Sequence, residues 1–402
     1  MKYLIALLLP FSAHAATYYV GPNGTDGCTN GTEATPWATL EGNNACVAPG
    51  DTVLFKTGEY QADTVLNNRI LLTGTEAQPI TIGVSGRRRS AKIIGPTTIS
   101  APSEHLIIQD LSFTRDVLGE DIVSIGASNI LLQRNRIRGR AGDYNQDSVG
   151  PGDCVKIAGG TFPAENITLR YNRIKHCPQD AIDINGRSNI KIYRNRISDA
   201  WFMQIKGGAF NVTVDGNRFK NMRYGVVSGG MDCTGANVYC GAPHLEYLPM
   251  DKRYNAKNVQ VSNNRFENLL IGQAVDFTGW QKAHIFRNAF INANILNDGI
   301  LTARAGVSTV FLDDIAQTYC ATNPAECSPC TLGNGGACYR VKPKAAGVDI
   351  TRNVATNSSA RAVKVDANTI TTADDVCIYG NRLPGTRTLA GVEEAFCTAR
   401  KE

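Results

Sequence analysis

From about residue 129 to residue 293, apolar and polar positions alternate in short runs that never lengthen into a helical period. Ile190-Lys-Ile-Tyr and Val212-Thr-Val-Asp are typical, and Gly, Asn or Ser separates one run from the next. Strict alternation predicts strands with one face inward and one outward. The runs also repeat. NILLQRNRIRG (129–139), NITLRYNRIKH (166–176), NIKIYRNRISD (189–199), NVTVDGNRFKN (211–221) and NVQVSNNRFEN (258–268) align on one asparagine, and HIFRNAFINAN from His284 is a looser copy. The aligned residues are Asn135, Asn172, Asn195, Asn217, Asn264 and Asn288, with gaps of 37, 23, 22, 47 and 24 residues. The short gaps define the unit, and the long ones mark units carrying insertions.

A unit of this length, made of short strands and turns, predicts one coil of a parallel β-helix. Coils stack about 4.8 Å apart, so residues one lap apart in sequence become neighbours. An inward asparagine at a fixed bend then bonds its copies above and below, satisfying amides whose burial is otherwise costly. This predicts an asparagine ladder with a structural role. Arg136, Arg173, Arg196, Arg218 and Arg265 follow the ladder and should point outward as a positive ridge, either solvated surface or a grip for an acidic polymer. Residues 16 to about 54, with Trp37, Leu40 and the Gly50-Asp51 turn, predict an N-terminal cap over the first coil, pinned by Cys28 and Cys46. After Asp313 a cysteine-dense loop interrupts the pattern, which resumes with Asn353 and Asn381 as late ladder members. The whole reads as all-β, a single domain over 16–402 with insertions near 140–152, 231–257 and 313–345.

Composition adds the compartment. MKYLIALLLPFSAHA has an early lysine, an apolar run and small residues at Ala13 and Ala15, the form of a secretory signal over residues 1–15. All 12 cysteines follow it, and an even number in an exported chain favours disulfides over zinc thiolates. A secreted or periplasmic protein without a membrane span is expected, and a monomer. The formal charge of +5 suits an anionic partner, and no basic run exceeds Arg87-Arg88-Arg89, so nucleic acid is not expected.

Candidate chemistry lies upstream of the ladder asparagines. In GDCVKIAGG (152–160), QDAIDINGR (179–187) and WFMQIKGGA (201–209), aligning Ile157, Ile184 and Ile205 puts Lys156, Asp183 and Gln204 in one outward column. Asp153 and Asp180 then stand three residues earlier on adjacent coils. Three carboxylates on one wall need neutralising. Hard oxygen ligands suit a calcium ion, while Lys156 and Lys206 are competing neutralisers and an ordinary charged surface is the plain alternative. Cys154 and Cys177, on neighbouring coils, are the best candidate disulfide.

The phrases Gly152-Asp153-Cys154-Val155, Cys177-Pro-Gln-Asp180-Ala-Ile-Asp183 and Met203-Gln-Ile-Lys206-Gly207-Gly208 resemble successive coils of polysaccharide lyase family 9, the calcium-dependent, pectate-lyase-like right-handed β-helices. The resemblance covers about 60 residues of the central coils. It implies that Asp153, Asp180 and Asp183 hold Ca2+, that Lys206 is the base, and that the reaction is β-elimination on an acidic polysaccharide. Lys156, Arg187 and Arg223 are then candidate clamps for substrate carboxylates, and Tyr247, in the 231–257 insertion, a stacking platform for sugar. His244 reads as a loop residue. Three other functions fit the same fold: hydrolysis by Asp180 with Asp183 or Asp183 with Asp276, C5 epimerisation, and non-enzymatic glycan binding or adhesion.

Overall fold

The computed structural model describes residues 15–115, 119–140, 152–158, 164–229, 256–270, 272–293, 299–303, 309–311, 321, 327–331, 337–341, 348–356, 361–365, 376–379, 381–383 and 388–389. The predicted signal segment up to residue 14, most of the 140–152 and 231–257 insertions, and with them Tyr247 and His244, lie outside the described residues.

Each lap of the chain lays down three short strands. One lap holds Ile182–Asn185, Ser188–Tyr193 and Arg196–Ala200; the next holds Met203–Lys206, Ala209–Asp215 and Arg218–Met222. Each strand pairs in parallel with its equivalent one lap later: Ile184 with Ile205, Ile192 with Val214, Ile197 with Phe219. The predicted parallel β-helix is therefore formed, with three faces; the third is a separate ten-stranded parallel sheet. Alternation fixes the interior. Ile157, Ile184 and Ile205 are fully buried, and Phe219, Phe266 and Phe290 stack on successive coils with centroids 4.7 and 5.2 Å apart. Each such side chain contributes roughly 1.5–3 kcal/mol by leaving water.

The buried corner is the asparagine ladder. The Oδ1 of Asn172 accepts the Asn135 N–H at 2.9 Å, Asn195 accepts from Asn172, Asn217 from Asn195, Asn264 from Asn217 and Asn288 from Asn264. Asn353 and Asn381 continue it. The preceding residue takes the left-handed conformation, as at Arg134 (φ 58), Tyr171 (φ 57) and Arg194 (φ 54), which turns the chain before the amide enters the core. The other two corners carry outer columns of their own. Asn166, Asn211 and Asn258 each donate a side-chain bond to the asparagine one coil before, at 2.9–3.0 Å; at the third corner Asn221 donates to Asp199, Asn268 to Asn221 and Asn292 to Asn268, at 3.0–3.2 Å.

At the N-terminus, Thr17–Val20 is itself a strand, paired with Thr52–Phe55. Trp37 and Leu40 are buried against the core, and a disulfide joins Cys28 to Cys46. The cysteine-dense segment expected to be a loop after Asp313 instead supplies two strands of an antiparallel sheet, in which Ala337–Val341 pairs with both Cys327–Thr331 and the preceding Thr309–Phe311. Its Pro and closely spaced cysteines obscure the period-two pattern, so the strands cannot be read from apolar alternation. Among the described residues no helix is long and apolar enough to cross a membrane.

Candidate active site

The first strand of each lap carries the candidate residues, and its register is as the sequence suggests. Val155–Ile157 pairs with Ile182–Asn185, setting Lys156 beside Asp183, and Ile182–Asn185 pairs with Met203–Lys206, setting Asp183 beside Gln204 and Asn185 beside Lys206. A disulfide between Cys154 and Cys177 ties the first two coils together. Gly152 stands just before Asp153 at φ +143, and a Cβ there would lie 2.5 Å from the Glu120 carbonyl oxygen, so glycine lets the coils close up at this point.

Three aspartates then stack by a single rule. The Asp153 N–H donates to Asp121 Oδ1 at 2.9 Å, and the Asp180 N–H donates to Asp153 Oδ1 at 3.2 Å. The next residue in the column is Trp201, whose N–H goes to the Gln179 carbonyl at 3.0 Å. The rule stops there. Asp180 Oδ1 is left buried with no hydrogen-bond donor. Ligand oxygens of Asp153, Asp180 and Asp183 lie within 4.8 Å of one another, and all three residues are buried.

Two lysines face the acids. Lys206 Nζ stands 3.1 Å from Asp183 Oδ1 and also donates to Gln204 Oε1. Lys156 Nζ lies 3.4 Å from Asp153 Oδ2 and 3.8 Å from Asp183 Oδ2. The charges remain unbalanced. Burial, then the charges of Asp183 and Asp121, push the Asp153 carboxyl up to about 7. Burial, then Asp153 and Asp183, hold Asp180 well above the carboxylate range. For Lys156, burial lowers the pKa, but the attraction of Asp153, Asp121 and Asp183 outweighs it and the net shift is upward. Carboxylates crowded in this way take up either protons or a cation. The donor set, three buried carboxylates with ligand oxygens within 4.8 Å of one another and one Asp180 oxygen without a donor, fits a hard divalent ion such as calcium.

The fold thus brings Asp153, Asp180, Asp183, Lys156 and Lys206 into one cluster. Arg187 sits at the corner after Asn185, with Nη1 donating to Gly186 O at 3.0 Å. The Arg223 guanidinium stacks 4.5 Å from the Trp201 ring centroid. Trp201 and Tyr224 continue the aspartate column on the next two coils, and Phe202 lies edge-on to both. Asp121 and these aromatics were not singled out from the sequence. Asp121 could have been, because Asp121-Ile-Val-Ser-Ile repeats the spacing of Asp153-Cys-Val-Lys-Ile and Asp180-Ala-Ile-Asp-Ile. Asp276 is in the Asp183 column but three coils on, about 14 Å away along the stack, and its carboxylate accepts from Thr278 and Gln273.

The family described as right handed beta helix region matches residues 93–240 and 165–312, together more than half of the chain. No curated protein matches it. Among solved structures it is similar to a GH136 lacto-N-biosidase from Eubacterium ramulus, with 15% identity over 92% of this chain and 68% of that one and a TM-score of 0.44. Pectate lyase Pel9A aligns at 13% identity over 90% of this chain and 82% of its own, with a TM-score of 0.36. Endopolygalacturonase I from Stereum purpureum aligns at 12% identity over 83% and 95%, with a TM-score of 0.42.

Proposed function

The chain belongs to the right-handed β-helix family, and from that premise we propose that it is an exported polysaccharide lyase that cleaves a uronic-acid polymer by calcium-assisted β-elimination. The observation that carries this reading is the aspartate column ending on the unsatisfied Asp180 oxygen, with Lys206 3.1 Å from Asp183. The disulfides Cys28–Cys46 and Cys154–Cys177 suit an oxidising, extracellular or periplasmic compartment. The site phrases resemble those of polysaccharide lyase family 9, and we extend the proposal to that family's mode of action.

Asp153, Asp180 and Asp183 would hold the calcium. When bound, it supplies positive charge that offsets the substrate carboxylate and makes the adjacent C–H more acidic. The chain's own groups do the rest. Asp183 fixes Lys206 from one side, so the amine is held on the wall where the sugar would lie. In its neutral form that amine accepts the proton from the carbon bearing the carboxylate. The C–H electron pair becomes a carbon–carbon double bond, the bond to the glycosidic oxygen breaks, and that oxygen takes a proton from solvent. Lys156, already engaged with Asp153 and Asp183, keeps excess acid charge from repelling an anionic substrate. Arg187, Arg223 and Tyr247 are proposed as further substrate contacts.

A hydrolase reading keeps one observation, that ligand oxygens of Asp180 and Asp183 lie within 4.8 Å of each other, under the roughly 5–5.5 Å of retaining enzymes and well short of the separation inverting enzymes need. Asp183 with Asp276 does not offer this, being separated by about three coil rises. One assay separates the readings. Polygalacturonate, alginate and glycosaminoglycan are incubated with the protein in calcium and in chelator, and both ultraviolet absorbance of the unsaturated product and reducing ends are followed. We predict absorbance in calcium, its loss in chelator, and a fall of about 10²–10⁴-fold in turnover for Lys206→Ala. Reducing ends without ultraviolet absorbance would establish hydrolysis instead.

A further inference from the structure

The arginines after the ladder form a straight line on the third face. Arg136, Arg173, Arg196, Arg218 and Arg265 are register partners in turn, so each stands one coil rise, about 4.8 Å, from the next at the backbone. Like charges directly opposite in a sheet are destabilising. At one end the fold compensates: Glu267 Oε2 meets Arg218 Nη2 at 2.6 Å, and Glu267 also binds Arg265. Across the corner, Asp110 is engaged by Arg88 and Arg134.

Arg136, Arg173 and Arg196 lack an acidic partner among the described residues. Arg138 and Lys175, themselves register partners, add charge two positions along. The crowding is felt locally. Arg136 is lowered by burial and then by Arg138 and Arg173, and Lys175 by burial and then by Arg138, Arg173 and Arg136. Arg173 and Arg196 are exposed and, with Arg89, Tyr171, Asn172 and Arg194, line a groove of about 320 Å³.

We propose that Arg136, Arg173 and Arg196 form a docking line, separate from the catalytic face, for a single polyuronate chain lying along the coil stack. A uronate polymer carries one carboxylate per sugar, at a repeat of the same size as one coil rise, so a cation on each of three successive coils matches it. The line is one residue wide. A single-stranded nucleic acid would call for open aromatic platforms, and the ring beside the line, Tyr171, already carries the Arg194 guanidinium 5.9 Å from its centroid and accepts from Arg194 Nη1 at its hydroxyl. The naming of a polyuronate rests on the proposed function, while the unbalanced line does not. A second foothold of this kind would raise the local concentration of the chain at the catalytic wall.

The test is affinity electrophoresis of the full chain through gels containing polygalacturonate or alginate, in chelator so that metal-mediated binding is removed. Wild type should be retarded, and the combined Arg136→Gln, Arg173→Gln, Arg196→Gln variant should bind at least about tenfold more weakly. Retardation should also weaken as salt is raised. Arg173→Gln alone, at an exposed position, should give a partial loss with an unchanged thermal midpoint. Equal retardation of the triple variant and wild type would overturn the proposal, as would retention on single-stranded DNA but not on either polyuronate. Should the ultraviolet assay find no elimination while the arginine variants lose binding, the docking line stands and the catalytic reading falls.

Discussion

An asparagine and an aspartate at equivalent bends behave differently, and the site follows from that difference. The amide both donates and accepts, so its ladder propagates: Asn195 accepts the Asn172 N–H at 2.9 Å while its own Nδ2 donates to Leu169 O and Asn217 Oδ1. A carboxylate only accepts. The Asp121, Asp153, Asp180 column therefore accumulates charge and ends in an acceptor with no donor. Replacing Asn195 with Ala strands buried groups on both sides, and we predict a loss of about 3 kcal/mol in chemical denaturation. Asn211→Gly, at an exposed corner where φ is 54, should change stability by only a few tenths, because glycine keeps the left-handed turn. The buried ladder was legible because Asn-Arg recurs at a fixed spacing. The outer columns were not separated from it, although Asn129, Asn166, Asn189, Asn211 and Asn258 open the same phrases, because their left-handed backbone is a conformational fact that spacing does not express.

At the scale of the strand, register does the positioning. Lys156, Asp183 and Gln204 fall in one column because Ile157, Ile184 and Ile205 must all face the core, and a slip of one residue would turn that column into the apolar interior and the isoleucines out of it. The Cys154–Cys177 bond, with a sequence separation of 23, locks the coil of Asp153 to the coil of Asp180. Replacing both cysteines with Ala should cost about 3 kcal/mol through the loop left unclosed in the unfolded chain, seen as a lower denaturation midpoint. Asp121 escaped the sequence reading because its strand, Val123–Gln133, runs on around the corner and hides the short repeat that marks the later coils. The antiparallel sheet between Thr309 and Val341 escaped for a related reason: strands that pair only with each other leave no lap-length echo.

At the scale of the whole molecule, the stack gives each face a different charge pattern from one repeated unit. The first face gathers acids with two lysines, and the third presents the arginine line. Both depend on side chains one lap apart becoming neighbours, which is why composition and net charge alone locate neither. The acidic cluster is the central claim, and calorimetric titration of the full chain with calcium tests it most directly, comparing wild type with Asp180→Asn at matched thermal midpoints. We predict saturable binding of one ion by wild type and an affinity at least about tenfold lower in Asp180→Asn, since the substitution removes the charge of one of the three clustered carboxylates. Equal titration curves for the two proteins, or no calcium binding by either, would contradict it.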